Sequence, residues 1–308
     1  MVSGAPYGFS GRYLSRPAGR LHYLDEGQAD ASTVVCVHGN PTWSFFYREV
    51  VKALRHTHRV IVPDHLGMGL SDRPEESLYA YRLKSRIDDL EALIDHTVPS
   101  GRISLVVHDW GGMIGLGWAT RHPQRVERLV ILNTAAFPLP AGKRLPWQLW
   151  LVRNSPLGPL LVCRLNAFVR GLVSWCSVRP LAPEVRAGYL APYGRRRDRL
   201  AVLRFVQDIP LQPSDPSYAE MSRIAQALPS LAEKPMLIAW GLRDFVFDAD
   251  FLAEWRRRFP QARVLSYPDA GHLLLEDVGE RLIPQIVAHL SDGVSGLAAA
   301  AKPRGGTP

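Results

Sequence analysis

Cysteine is scarce. Three thiols, Cys36, Cys163 and Cys176, in 308 residues are too few and too irregularly spaced for a disulfide framework or a zinc site, so reduced thiols in a cytoplasmic protein are expected. Long apolar runs are lacking as well: none reaches the roughly 20 residues a membrane-spanning helix needs. The first residues, Met1-Val2-Ser3-Gly4-Ala5-Pro6, have neither the basic nor the apolar stretch of a signal peptide. Neither export nor a transmembrane segment is therefore expected. No internal repeat is visible. The glycine-rich stretch Gly67-Met68-Gly69-Leu70-Ser71-Asp72 is too short and wrongly ordered to cradle a phosphate, and reads as turn chemistry. Acid is in deficit, with a net charge of +8 and a dense basic cluster at Arg195-Arg196-Arg197-Asp198-Arg199. No nucleic-acid motif accompanies that cluster, and a solvated helix face is the expected reading over contact with an acidic partner or a membrane surface.

What is present is a large apolar fraction, 46% of residues, enough for one large core or a core with a small accessory domain. Short β-rich runs alternate with helical patterns: Leu21 to Leu24, Thr33 to Val37, Arg59 to Asp64, Leu105 to Asp109 and Val126 to Leu132. Between them Leu83, Ile87, Leu90 and Ile94 recur at helical spacing, with Arg86, Asp88 and Asp89 expected to point outward. Such alternation predicts a mostly parallel central sheet flanked by helices. From Phe137 the rhythm breaks into proline-punctuated, aromatic-rich helical pieces. The expected organisation is a first core part over 1–136, a helical cap over 137–221, a second core part over 222–292 and a disordered tail over 293–308. Trp147, Trp150, Phe168, Trp175, Tyr189 and Phe205 of the cap are expected to line a greasy pocket as a group. Strands resume at Pro235 to Gly241 and Arg263 to Tyr267, and a helix runs from about Asp277 to Leu290.

The chain is organised around Leu105-Val106-Val107-His108-Asp109-Trp110-Gly111-Gly112, an apolar run that stops at a carboxylate and opens into a glycine-rich helical pattern. In the α/β-hydrolase arrangement a turn of this kind exposes a nucleophile above the sheet. A carboxylate there can attack saturated carbon and form an alkyl ester. Taken alone, Asp109 is equally well read as a cap of the following helix, and Val107 stands where serine-type elbows carry glycine. Two further residues shift the balance. Asp244 and His272 each lie just past a strand end, in the order nucleophile, acid, histidine that α/β-hydrolase triads follow. The acid would hold the imidazole in the tautomer that leaves Nε2 free. Asp248 and Asp250 are weaker choices because they fall at or in the next helix. No acid ends the preceding strand, where Asn133 and Thr134 stand.

His38-Gly39-Asn40-Pro41 together with His108-Asp109-Trp110-Gly111 resembles the haloalkane dehalogenases, in which the matching Asn and Trp hold the leaving halide while the Asp attacks carbon. Epoxide hydrolases share the Asp-Trp pair but usually lack the Asn. Nearly the whole chain, from about Leu21 to Leu290, resembles more closely the β-lactone decarboxylases of bacterial long-chain olefin biosynthesis. The matching stretches are Pro63 to Asp72, Asn133 to Pro140, Phe205 to Leu211 and Ala239 to Asp244. This resemblance implies an α/β-hydrolase fold with a helical cap and conversion of cis-3,4-dialkyl β-lactones to cis-olefins and carbon dioxide. It implies Asp109, His272 and Asp244 as catalytic residues, with Asn40 and Trp110 stabilising the leaving anion. It implies no metal or organic cofactor, a hydrophobic small-molecule substrate, and association with the β-lactone synthetase and other pathway enzymes. Dehalogenation is the alternative activity. Attack at the ring carbon and attack at the lactone carbonyl are both compatible with these residues.

Overall fold

The computed structural model describes residues 8–291; the tail expected to be disordered lies outside the described residues. Eight strands form one sheet in the order β1-β2-β4-β3-β5-β6-β7-β8. They are β1 (Gly11–Arg16), β2 (Gly19–Glu26), β3 (Thr33–Val37), β4 (Arg59–Pro63), β5 (Ile103–Asp109), β6 (Val126–Thr134), β7 (Met236–Gly241) and β8 (Arg263–Tyr267). The first two join the rest antiparallel, and every later pairing is parallel. β3 and β5 are buried along their whole length, as parallel strands covered on both faces must be, which is why they read as unbroken apolar runs. β1 behaves oppositely. Its sequence Gly-Arg-Tyr-Leu-Ser-Arg is mostly exposed, an edge strand without the apolar signal, and it went unmarked in the sequence.

Helices α1 (Arg48–Leu54), α2 (Leu83–Thr97) and α3 (Trp110–Arg121) cover the sheet before the strand rhythm breaks. In α2 the expectation that Arg86 and Asp89 point outward fails: both are buried. Asp89 accepts hydrogen bonds from Arg16 at 2.9 Å and Tyr79 at 2.7 Å, and Arg86 meets Asp208 at 3.3 Å. Periodicity alone could not see this, because the polar side of α2 is covered by other elements rather than by water.

Between β6 and β7 lie α4 (Trp147–Asn154), α5 (Ala167–Trp175), α6 (Pro183–Leu190) and α7 (Leu200–Gln207), which form a cap. The boundary expected at Met221 falls inside α8 (Tyr218–Ala227), which packs on α2 and α3 of the core. In the basic cluster Arg195, Arg196 and Arg197 are exposed. Arg199 is not: it is buried and donates to the carbonyls of Cys163 and Tyr193, each at 3.0 Å. The chain ends its described part with α9 (Ala249–Arg258) and α10 (Leu274–Ser291), the latter broken at the non-helical Val278 and beginning earlier than the expected Asp277.

Candidate active site

β5 stops at Asp109 and α3 begins at the next residue. The reversal is too tight for ordinary backbone, and Asp109 takes φ 51°, a conformation that costs an L-residue energy and recurs at functional turns. Two glycines let the turn close. A Cβ at Gly111 would stand 1.9 Å from the Val37 carbonyl oxygen, and one at Gly112 the same distance from Thr134 Oγ1. The Thr134 hydroxyl donates to the Asp109 carbonyl oxygen. The Asp109 carboxylate is held from the other side, where its Oδ1 accepts the Asn40 backbone N–H at 2.5 Å. Burial raises the Asp109 pKa above the usual carboxylate range, opposed by the nearby His272 and by backbone N–H groups of Asn40 and Trp110.

His272 lies between the two carboxylates. Its Nδ1 is 2.8 Å from Asp244 Oδ2, and its Nε2 faces Asp109 Oδ2 at 3.9 Å. His272 is buried. Burial by itself would lower its pKa, but the charge and hydrogen bond of Asp244, with Asp109 adding to them, carry it up to about 8. Asp244 is fixed in turn by the Asn133 amide, which donates to its Oδ2 at 3.1 Å, and by the Val246 N–H at 2.8 Å. His108 Nε2 lies 2.9 Å from the His272 carbonyl oxygen and so anchors the loop. The weaker acids are engaged elsewhere: Asp248 caps α9, and Lys143 pairs with both Asp248 and Asp250.

The sequence marked Asp109, His272 and Asp244, and these come together. It did not mark Asn133, Thr134 or His108 as supports, because their types are common in cores and only their partners reveal the role. Asn40 and Trp110 both line the same cavity as Asp109 and His272. Asn40 differs in detail from the expectation: its amide nitrogen donates to the Val202 carbonyl at 3.2 Å, its Oδ1 is buried without a partner, and its backbone N–H is the group that reaches Asp109. An amide nitrogen has two hydrogens, so one bond to Val202 leaves a second donor.

The cavity above Asp109 measures about 530 Å³ and is walled almost wholly by apolar side chains. Of the six aromatics expected there, Trp147, Phe168 and Trp175 line it, while Trp150, Tyr189 and Phe205 do not. Tyr189 and Phe205 are fully buried; Phe205 packs edge-on to Trp110 from behind, with ring centroids 5.2 Å apart. Among the described residues no group of three or more His, Cys, Asp or Glu side chains could hold a metal ion. The arrangement is suited to nucleophilic attack by a carboxylate on an apolar substrate.

The profile of the α/β hydrolase fold family matches residues 32–277. The chain is 52% identical to a cis-3-alkyl-4-alkyloxetan-2-one decarboxylase of Shewanella oneidensis, over 90% of this chain and 87% of that one. It is 49% identical to a decarboxylase of the same name from Xanthomonas campestris, over 92% of this chain and 97% of that one. The crystal structure of a haloalkane dehalogenase from Bradyrhizobium elkani superposes with a TM-score of 0.82 at 26% identity, covering 95% of this chain and 100% of that one. The chain belongs to the α/β hydrolase fold family, among the relatives that include cis-3-alkyl-4-alkyloxetan-2-one decarboxylases and haloalkane dehalogenases.

Proposed function

We propose that the protein decarboxylates cis-3-alkyl-4-alkyloxetan-2-ones to cis-olefins and carbon dioxide. The observation that carries this reading is identity near one half with two decarboxylases over nine-tenths of the chain, a span too long to leave out the cap. The site supports it. Asp109 Oδ2, the oxygen not held by Asn40, attacks the ring carbon bearing the alkyl oxygen, forming a C–O bond as the ring C–O bond breaks. The freed carboxylate is stabilised by Asn40 and Trp110. Carbon dioxide then leaves, and the electron pair of the broken C–C bond forms the double bond and expels Asp109. No proton is consumed, and one inversion followed by anti elimination keeps a cis-lactone cis. His272, charged between Asp244 and Asp109, orients and tunes the nucleophile rather than activating water.

Two further proposals accompany this one: the protein acts in the cytoplasm, and it associates with the β-lactone synthetase, which closes the ring, and with other enzymes of the pathway. The test of the activity is direct. Purified protein incubated with a cis-3,4-dialkyl-oxetan-2-one should yield olefin, and the Asp109→Ala variant, folded by circular dichroism, should yield none. Halide from a 1-haloalkane with no olefin from the lactone would reverse the reading in favour of dehalogenation. Wild-type rates in Asp109→Ala would remove Asp109 from the chemistry.

A further inference from the structure

The cap holds seven of the eleven large hydrophobic side chains that stand exposed among the described residues. It also holds the charge imbalance. Between residues 137 and 217 twelve arginines and lysines face four carboxylates, a surplus equal to the net charge of the whole chain, +8, so the remaining sequence is neutral. Arg144, Arg164, Arg170 and Arg186 are exposed and take part in no ion pair among the described residues. A cap that carries both exposed tryptophan and unpaired arginine has the composition of a surface that lies in the interfacial layer of a bilayer. No helix among the described residues is long and apolar enough to cross one.

Tryptophan exposure is confined to the cap. Trp147, Trp150 and Trp175 are 71%, 54% and 78% exposed, whereas Trp43, Trp110, Trp118, Trp240 and Trp255 are buried. Trp147, Trp175, the exposed Phe245 and Arg144 also line the cavity that ends at Asp109, so the apolar patch runs into the site. Trp150 lies three residues beyond Trp147 on α4 and shares its side of the helix.

We propose that the cap docks on a bilayer containing anionic phospholipid, with Trp147, Trp150, Trp175 and Phe245 in the interfacial layer and the cap arginines on headgroup phosphates. The cavity mouth then opens into lipid, where a dialkyl lactone partitions and an olefin is released. The docking rests on the cap surface with the neighbouring Phe245, and its use for loading lactone rests on the decarboxylase reading.

The test is flotation of the full chain with vesicles of phosphatidylcholine, and with vesicles of phosphatidylcholine mixed equally with phosphatidylglycerol. The protein should float with the mixed vesicles only, and less as salt is added. Trp150→Ser and Arg170→Glu, neither of which lines the cavity, should each weaken that binding about fivefold while leaving turnover of a short-chain, water-soluble lactone unchanged. Flotation without any lactone turnover would leave the docking standing and sink the decarboxylase reading. Failure to float with the mixed vesicles at low salt overturns the docking. So does an oligomer that Trp150→Ser dissolves into monomers and that binds no vesicle, since the patch would then be a contact between copies of the chain.

Discussion

On the proposed mechanism, His272 is where lyase and hydrolase chemistry part. An alkyl ester on Asp109 can be opened by water only if a neutral imidazole takes the proton, whereas elimination of carbon dioxide expels Asp109 without water. The pKa of His272, raised to about 8 by Asp244 and Asp109 against the effect of burial, favours the imidazolium at neutral pH. That charge lowers the proton affinity of Asp109, which burial has raised. Lactone kcat/KM should therefore be level up to about 8 and fall above it as the imidazolium is lost. On the acid side it should fall at a pH above the ordinary carboxylate range, as Asp109 protonates. A rate that climbs through pH 8 instead would mean that neutral His272 is the working form. In the same vein His272→Ala should slow olefin formation yet sustain multiple turnovers, counted by rapid quench. One equivalent followed by a stop, with an adduct on the Asp109 peptide by mass spectrometry, would show that His272 is needed to release the intermediate.

At the scale of elements, the site is a strand end, a turn and a helix start, and this much was legible because each part carries its own local signal. An apolar run gave β5, the Asp-Trp pair gave the turn, and Gly111-Gly112 gave the close packing of α3. Asp244 and His272 were legible from their place, each in the short loop just past a predicted strand end and in the chain order of a triad. The supports were not, since Asn133 acts across from β6 to the loop after β7 and only the folded sheet brings the two together. The tightness of the elbow makes a prediction about Gly111. An added Cβ would press on the Val37 carbonyl, which is backbone of a buried strand and cannot swing aside. Gly111→Ala should cost about 1–3 kcal/mol of stability, the range for overpacking, measured by urea unfolding. It should also lower kcat with the lactone, because β3 leads into the loop that holds Asp109 through Asn40. Unchanged stability would mean that the turn has slack and that the glycine is not needed for close approach.

At the scale of the whole molecule, a cap built from short helices must stay registered over Asp109. Sequence reasoning found the cap from its prolines and aromatics, but it turned Arg86 to solvent, because an isolated helix pattern cannot tell a face covered by protein from one covered by water. In the fold Arg86 is buried, stacked 3.6 Å from the ring centre of Phe205 and 5.6 Å from that of Trp110. Its carboxylate partner is Asp208, which directly follows α7. Asp208 also accepts the Leu83 N–H at 2.8 Å, the Ser217 hydroxyl at 2.8 Å and Arg82 at 3.0 Å, so one carboxylate from the end of the cap both neutralises a buried cation and caps the first turn of α2. A second tie binds α1, α6 and α10, where Glu276 takes both Arg48 nitrogens, at 2.6 and 2.8 Å, and the Tyr189 hydroxyl. Removing one partner of a buried pair leaves an uncompensated charge, so Asp208→Ala should cost about 3–5 kcal/mol. With Arg86→Met already in place that charge is gone, and the same substitution should cost only what the lost helix cap is worth, about 0.5–2 kcal/mol. The four proteins of this double-mutant cycle can be compared by urea unfolding. Equal costs in the two backgrounds would mean that Asp208 acts through the helix cap alone, and that the Arg86 guanidinium is held by Phe205 and its other neighbours without need of a counter-charge from the cap.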